Sequence, residues 1–495
     1  MSTTRQTPEV STSTVRGLKP RQLTMMGLGG AIGAGLFLGS GKGVAVAGPA
    51  ILLSYVVAGA LVILVMWMIG ELSAANPTSG AFSTHAQNAF GPVAGYTVGW
   101  LYWVQLAVVT AAEANGAATI LTGILHNTMG DVAVPPTWVL SLIFMALFTT
   151  INMFAVSKYG EFEFWFAFIK VGVILAFLVV GVLMLIGVIP GHEGGLSNFA
   201  DFAPTGLAGV GAGLLIVIFA FGGTEIVAIA AGETADPQRS VATAIRTVAW
   251  RICLFYIGSV FIIVAVLKPS QADPPEGPFA AVLNVAGMPA AGNIMALVAV
   301  FALLSALNAN IYAASRMMHS LAQRNYAPAG IKRTAHNSVP RRAVLLTVSF
   351  GFVASILEAL FPGKVLDTLL SIVGSTIIII WISVAASQIT LRHRRERENP
   401  GERSTTYKMP LFPFLSYLTV ALLVVIVVIA MLDPAARTQL LLTVGATALI
   451  AVTGIFVTRR TRQPATVHAE LDDAAADAPA AASTAASEQE QERDR

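Results

Sequence analysis

The sequence is short of charge and of cysteine, and both shortages narrow the class of protein. Only 12% of its 495 residues are charged and 55% are hydrophobic, whereas about 25% of the residues in a soluble protein are charged. This composition is typical of a chain whose surface faces lipid, and it argues against a soluble globular protein. The single cysteine, Cys253, lies in an apolar stretch, so an intramolecular disulfide is excluded.

The chain also lacks the motifs of several functional classes. It shows no nucleophile–base pair, phosphate-binding loop or ATP motif, and its seven histidines do not have metal-ligand spacing. A pI near 9.0 could indicate a nucleic-acid partner. Lys and Arg, however, occur in short runs between apolar blocks, which argues against one. We therefore expect no enzyme, no cofactor, no metal and no nucleic acid.

Twelve apolar blocks are long enough to cross a bilayer, which predicts an all-α membrane protein with twelve transmembrane helices in a domain over 22–460. The polar segment 1–21 is expected to be cytoplasmic and not a cleaved signal peptide. The polar segment 461–495 is expected to be a disordered cytoplasmic tail, with a short helix as the alternative. The predicted segments 1 to 12 cover 22–46, 49–74, 92–125, 137–156, 162–189, 207–231, 242–267, 291–319, 343–361, 366–390, 411–432 and 438–458.

The distribution of Lys and Arg predicts the orientation, because cytoplasmic loops carry an excess of positive charge. With the N-terminus in the cytoplasm, that side receives the clusters 316–342 and 392–408. The outside receives only four cations, which are Lys42, Lys268, Lys364 and Arg437. We expect a multi-pass protein of the cell membrane with both termini in the cytoplasm, and interfacial ion pairs at Glu71 and Arg251.

Glycine is concentrated in segment 1, at Gly27–Gly39. Glycine costs about 1 kcal/mol in a helix interior, and bare backbone is tolerated at membrane depth only where it lines a protein cavity. One interpretation is close helix packing through glycines four residues apart. The other is an unwound ligand loop at Ala31–Gly35, which the spread of the glycines over several faces favours. A half-helix starting near Leu36 would then direct its N–H groups at an anion such as a carboxylate.

Segment 6 is also interrupted, at Phe219–Glu225. Two interrupted segments five apart indicate a five-plus-five inverted repeat, with helices 1 and 6 unwound at a site between the halves. Backbone carbonyls near Gly222 and Gly223 would suit an ammonium group. Phe219 and Phe221 would either cap a small ligand or pack against lipid and core.

Three ionisable side chains inside predicted membrane segments are candidate proton-coupling groups: Lys170, Glu113 and Glu225. A desolvated lysine can exchange its proton near neutral pH, although Lys170 could instead extend to the interface. Glu113 could instead form a structural hydrogen bond between helices. Ser305 and Asn308 share one face of segment 8, where they would line the cavity or bond to neighbouring helices.

At these residues the chain resembles the amino acid permease branch of the amino acid–polyamine–organocation superfamily. The resemblance extends over roughly 18–410. Its matching stretches are 29–37, 70–83, 99–103, 158–165, 221–225 and 314–317. It implies the same five-plus-five fold, an amino acid substrate and no enzymatic activity.

The resemblance also implies roles for individual residues. The substrate carboxylate would meet backbone N–H groups near Ala34 and Gly35, and the amino group would meet carbonyls near Ala31, Phe219 and Ala220. Some relatives carry a serine where this chain has Ala34, so here the carboxylate contact would rest on the backbone alone.

Two charged positions match the family as well. Lys170 matches a lysine that lies near the cavity in proton-coupled relatives, and Glu225 matches an acidic position linked to proton-sensitive exchange. The predicted substrate-binding residues are Ala31, Ile32, Gly33, Ala34, Gly35, Phe219, Ala220, Phe221, Gly222, Ser305 and Asn308.

These observations together predict a secondary active transporter that imports neutral, aromatic or γ-aminobutyrate-like amino acids by proton symport. An amino acid exchanger is the alternative. A channel is less expected, because it would favour a continuous polar pore lining. A nutrient receptor is also less expected, because it would add a large extramembrane domain. The expected partners are the amino acid, the proton and the lipid bilayer.

Overall fold

The computed structural model describes eight stretches of the chain, and every regular element within them is a helix. These stretches are 32–76, 81–130, 134–153, 159–189, 196–224, 237–333, 339–398 and 407–461. Both predicted terminal segments, 1–21 and 461–495, fall outside them except for Thr461. The predicted site residues Ala31 and Glu225 also lie outside the described residues.

Sixteen α-helices occur in the described residues. They are α1 (Ala34–Phe37), α2 (Gly39–Ala47), α3 (Ile51–Ala75), α4 (Ala81–Phe90), α5 (Pro92–Met129), α6 (Thr137–Met153), α7 (Tyr159–Leu185), α8 (Gly206–Phe221), α9 (Pro237–Arg251), α10 (Gly258–Val266), α11 (Pro278–Val285), α12 (Pro289–Gln323), α13 (Arg341–Leu360), α14 (Val365–Glu398), α15 (Phe414–Ala430) and α16 (Pro434–Thr461). A π-helical turn, Ile252–Ile257, joins α9 to α10.

The all-helical membrane architecture expected from the composition is confirmed at this level. Within the described residues, eight helical stretches are long and apolar enough to cross a membrane, and α6, α8 and α15 are shorter apolar helices. One of the eight stretches, Ala34–Ala75, contains the 3₁₀ turn Gly48–Ala50, which separates α2 from α3. The full number of twelve spans and the inverted repeat stay predictions.

The centre of the molecule is the long helix α5. It begins at Pro92, whose fixed φ and missing N–H suit the first helical position. Apolar and small residues surround it on most sides, so it is buried against α12, α13, α14 and α16. The same helix contacts α1. Its middle therefore carries Glu113 into the interior, next to the start of α1.

A polar cluster around Glu71 joins α3, α14 and the segment before α15. The carboxylate Oε2 of Glu71 accepts hydrogen bonds from Gln388 Nε2 (2.9 Å), Arg392 Nη1 (3.2 Å) and the Met409 N–H (2.9 Å). Glu71 is 2% exposed, and the ion pair expected at this residue is formed with Arg392. Burial and the neighbouring Glu71 charge raise the pKa of Tyr407 to about 12, so its phenol stays protonated.

A second ionic group joins α2 to α14 at the other end of the bundle. Lys42 Nζ lies 3.1 Å from Asp273 Oδ2 and 2.6 Å from Asp367 Oδ1. Asp273 lies between α10 and α11, and Asp367 lies in the first turn of α14. One cation therefore connects three parts of the chain that are far apart in sequence.

Candidate functional site

The first helix of the described chain begins inside the predicted ligand loop. Ile32 and Gly33 are not helical, and α1 starts at Ala34. The helix begins two residues before the expected start near Leu36, because the Gly33 carbonyl already accepts hydrogen bonds from the N–H groups of Leu36 and Phe37, both at 3.2 Å. Beyond Phe37 the helix continues into α2, since the Leu38 N–H donates to the Ala34 carbonyl at 2.9 Å.

The sixth predicted segment is interrupted within the expected range. Helix α8 ends at Phe221, and the Gly222 N–H turns back to the Phe219 carbonyl at 3.0 Å. Gly223 has φ +89°, a conformation that side chains rarely adopt and that turns the backbone out of the helix. The Thr224 N–H and hydroxyl both donate to the Phe221 carbonyl.

Helices α1 and α8 meet at Gly35 and Ala220. A β-carbon at Gly35 would overlap the Cα of Ala220, so the backbones of α1 and α8 are in direct contact there. One turn later, Gly39 lies against Ile216 of α8. Glycines of segment 1 thus serve close helix packing, and the same packing brings the beginning of α1 beside the last turn of α8.

We expect Gly35→Ala to destabilise the protein by about 1–3 kcal/mol, because the added methyl group overpacks a backbone–backbone contact. The measurement is the apparent melting temperature and the size-exclusion profile of the purified protein. Gly445→Ala is the matched control, since Gly445 is a helical glycine in α16 with nothing within 4 Å of its would-be β-carbon. Equal melting temperatures for the two variants would contradict the contact.

Both predicted aromatic residues of α8 are buried. Phe221 is fully buried and packs against Tyr55 and Tyr256, with ring centroids 5.8 Å and 5.0 Å away. Phe219 is buried as well. The would-be β-carbon of Gly222 faces Ile377 of α14, so α14 closes the site on that side.

The N–H of Ala34 is bound by the side chain of Glu113. It donates to both carboxylate oxygens, at 3.2 Å to Oε1 and 3.0 Å to Oε2. The Gly33 would-be β-carbon would overlap the same carboxylate, so any side chain at Gly33 would exclude it. A carboxylate of the protein therefore lies where the sequence predicts a substrate carboxylate.

Lys170 lies close to this group and is also buried. Its ammonium donates to Ser305 Oγ of α12 at 3.2 Å, and it interacts electrostatically with Glu113. Lys170 is only 1% exposed, so it does not extend to the interface. Ser305 of the predicted polar pair thus lies beside Lys170. Asn308 accepts a hydrogen bond from Asn152 Nδ2 of α6 at 2.7 Å, which connects it to a neighbouring helix.

Sequence reasoning missed Tyr256 and did not foresee that Arg251 is buried. Arg251 was expected at a membrane interface, but it is 1% exposed, and both it and Glu113 act electrostatically on the Tyr256 phenol. Hydrogen bonds in a π-helix join residues five apart, so the π turn brings Arg251 and Tyr256 nearer than an α-helix would. Nothing in the sequence marks a π turn.

The end of the apolar helix α8 lies beside the start of α1, where the buried Glu113 carboxylate binds, and this arrangement fits a helical membrane transport protein. Comparison with known proteins makes the class specific. The family model described as "Amino acid permease" matches residues 22–464, and the chain belongs to this family. Its members are multi-pass membrane transporters of amino acids, as the resemblance implied.

Two relatives show how similar the chain is to individual permeases. It is 44% identical over 431 residues to the aromatic amino acid transport protein AroP of Corynebacterium glutamicum, which covers 86% of this chain and 91% of that protein. It is 42% identical over 448 residues to the gamma-aminobutyric acid permease of Bacillus subtilis, with 90% and 93% covered.

Proposed function

We propose that the protein imports amino acids across the cell membrane by proton symport with alternating access. The observation that carries the proposal is the meeting of α1 and α8 at Gly35 and Ala220. This contact brings the start of α1 beside the last turn of α8. An amino acid needs both the N–H groups that a helix start offers and the carbonyls that a helix end offers. The proposal includes twelve membrane helices in a five-plus-five inverted repeat, with both termini in the cytoplasm.

The backbone of the two breaks supports the assignment of each end of the substrate. A helix start favours negative charge, so the substrate carboxylate would bind at the N–H groups of Ala34 and Gly35. Carbonyl oxygens near Phe219 and Ala220, together with Ala31, would accept from the amino group. Ile32, Gly33, Phe221 and Gly222 would complete the backbone cradle, with Ser305 and Asn308 on the α12 side.

The buried charges support coupling to protons. A buried ionisable residue inside a membrane segment is a functional candidate, and Lys170 and Glu113 lie near each other and near Ala34. Glu225 is the third candidate. One co-transported proton and a membrane potential of 100 mV supply about 2.3 kcal/mol, which supports roughly fifty-fold accumulation.

The names of the relatives suggest two classes of substrate. One is named for aromatic amino acids and the other for gamma-aminobutyric acid. The apolar neighbourhood, with Ile377 and Phe219 beside the breaks, supports a neutral side chain. We propose neutral, aromatic or γ-aminobutyrate-like substrates.

Uptake into liposomes tests this function. We expect purified protein in empty vesicles to accumulate labelled L-phenylalanine or γ-aminobutyrate when the outside is acidified, and to stop when a protonophore collapses the gradient. Protein-free vesicles are the control. Uptake only into vesicles preloaded with amino acid would establish the exchanger instead. Uptake of neither probe under any condition would contradict the substrate class.

A further inference from the structure

Glu113 occupies a position that the proposed function assigns to the substrate. Both of its carboxylate oxygens contact the Ala34 N–H. The residue is 4% exposed and lies midway along α5, where α5 contacts α1. Nothing in a structural hydrogen bond between two helices requires that the acceptor be a carboxylate, because an amide or hydroxyl oxygen would do the same at a lower desolvation cost.

An ionised substrate carboxylate and an ionised Glu113 would compete for this N–H. The Glu113 oxygens already lie beside it, in the space that a β-carbon of Gly33 would need. A second anion at the same distance would also place two negative charges within a few ångströms of each other. Such a pair does not remain doubly ionised, because like charges in a buried site favour protonation of one partner.

We propose that Glu113 is a tethered substitute for the substrate carboxylate, and that the substrate binds by displacing it from Ala34 while Glu113 takes up one proton. The inference rests on the proposed function and specifies how its binding site is regulated. The step is a protonation only: a proton from water adds to a carboxylate oxygen of Glu113, and the hydrogen bond from Ala34 passes to the substrate.

This exchange couples transport to protons through one binding site. With substrate bound, Glu113 is neutral and no longer competes with the substrate carboxylate for the Ala34 N–H. When Glu113 loses its proton on the side of lower proton activity, it becomes a competitor again and returns to Ala34, which expels the substrate carboxylate. Each cycle then moves one proton with one amino acid.

The charged and titratable groups around Glu113 are consistent with this assignment. Lys170 of α7 acts on it directly. Glu113 and Arg251 both act on the phenol of Tyr256 in the π turn. Lys170 provides the counter-charge that an ionised Glu113 needs in the empty site. Its hydrogen bond to Ser305 holds its ammonium next to α12.

Calorimetry on the purified full-length protein tests the proposal without any gradient. L-Phenylalanine and γ-aminobutyrate are titrated in turn, in buffers of different ionisation enthalpy, between pH 6 and pH 8. We expect the wild type to take up about one proton per bound amino acid and to lose affinity up to tenfold per pH unit once Glu113 is ionised. For Glu113→Gln we expect no proton uptake, a flat pH profile and tighter binding at pH 8.

Glu358→Gln is the matched control. Glu358 is another buried carboxylate, and it accepts its hydrogen bond from the Gly363 N–H at 2.7 Å, at the end of α13. This variant should bind and take up protons as the wild type does. Binding without proton uptake in the wild type, or unchanged proton uptake in Glu113→Gln, would overturn the inference while leaving the transport proposal intact. Failure of every variant to bind either amino acid would overturn both.

Discussion

Lys170→Ala abolishes the accumulation of amino acid against its gradient in liposomes, and this is the largest functional effect that we expect. Acid-driven uptake should fall from at most about tenfold accumulation per pH unit of gradient, the limit set by one proton, to simple equilibration. The measurement is the ratio of internal to external labelled substrate at steady state, with the outside acidified.

The reason lies in the neighbours of Lys170. Its ammonium is the cation that acts on Glu113, and it is held by Ser305 at 3.2 Å. Without it, an ionised Glu113 would be left in a buried site with its counter-charge removed, which costs several kcal/mol. Glu113 would therefore keep its proton throughout the cycle, and a group that never releases its proton cannot couple.

Lys364→Ala is the control for the loss of a lysine side chain outside the site. Lys364 is exposed and lies just before α14, so its removal should leave accumulation unchanged. Accumulation by Lys170→Ala at the wild-type level would rule out the coupling role. Thermal stability measured in parallel distinguishes a folded, uncoupled variant from one that fails to fold.

Glu71→Ala should cause the largest loss of stability, about 3–5 kcal/mol, as is typical when one partner of a buried ion pair is removed. The Glu71 carboxylate satisfies three donors at once, from Gln388, Arg392 and the Met409 backbone. All three donors would lose their acceptor, and water does not take its place because Glu71 is buried. Denaturant or SDS titration of the purified protein measures the effect.

The same arginine provides the control. Arg392 Nε also contacts Glu396 Oε1 at 3.1 Å, but Glu396 is half exposed. Exposed ion pairs contribute about 0–1 kcal/mol, so Glu396→Gln should change stability by no more than that. If both variants lost the same stability, burial would not be the factor that makes Glu71 important.

The helical architecture could be predicted because its signal is local. Long apolar blocks predict helices wherever they occur, and Pro92 marks the start of α5 as its chemistry suggests. The break in segment 6 was also predictable, since glycine and charge are costly in a membrane helix. The start of α1 could not be placed to the residue. It depends on the Gly33 carbonyl accepting hydrogen bonds from the N–H groups of Leu36 and Phe37. The sequence alone does not show which carbonyl accepts these bonds.

The charged members of the candidate site could be found, but their partners could not. Lys170 and Glu113 stand out because each is a lone charge in an apolar block. The contact of Glu113 with Ala34 joins residues 79 apart, and that of Lys170 with Ser305 joins residues 135 apart. Such distances are set by how helices pack. Asn308 shows the same limit, since only the fold reveals Asn152 beside it.

The bridge formed by Lys42 makes the protein sensitive to the salt around it. Lys42 holds both Asp273 and Asp367, and the two carboxylates are 35% and 59% exposed. Ion pairs open to water weaken as salt rises, because the Debye length shrinks from about 10 Å at 0.1 M to about 3 Å at 1 M. Separation of α2 from α14 at this end therefore becomes easier in concentrated salt than in dilute buffer. The buried contact between Glu113 and the Ala34 N–H does not change. Ionic strength thus acts on the ion pairs that are open to water and leaves the buried contacts of the site unchanged.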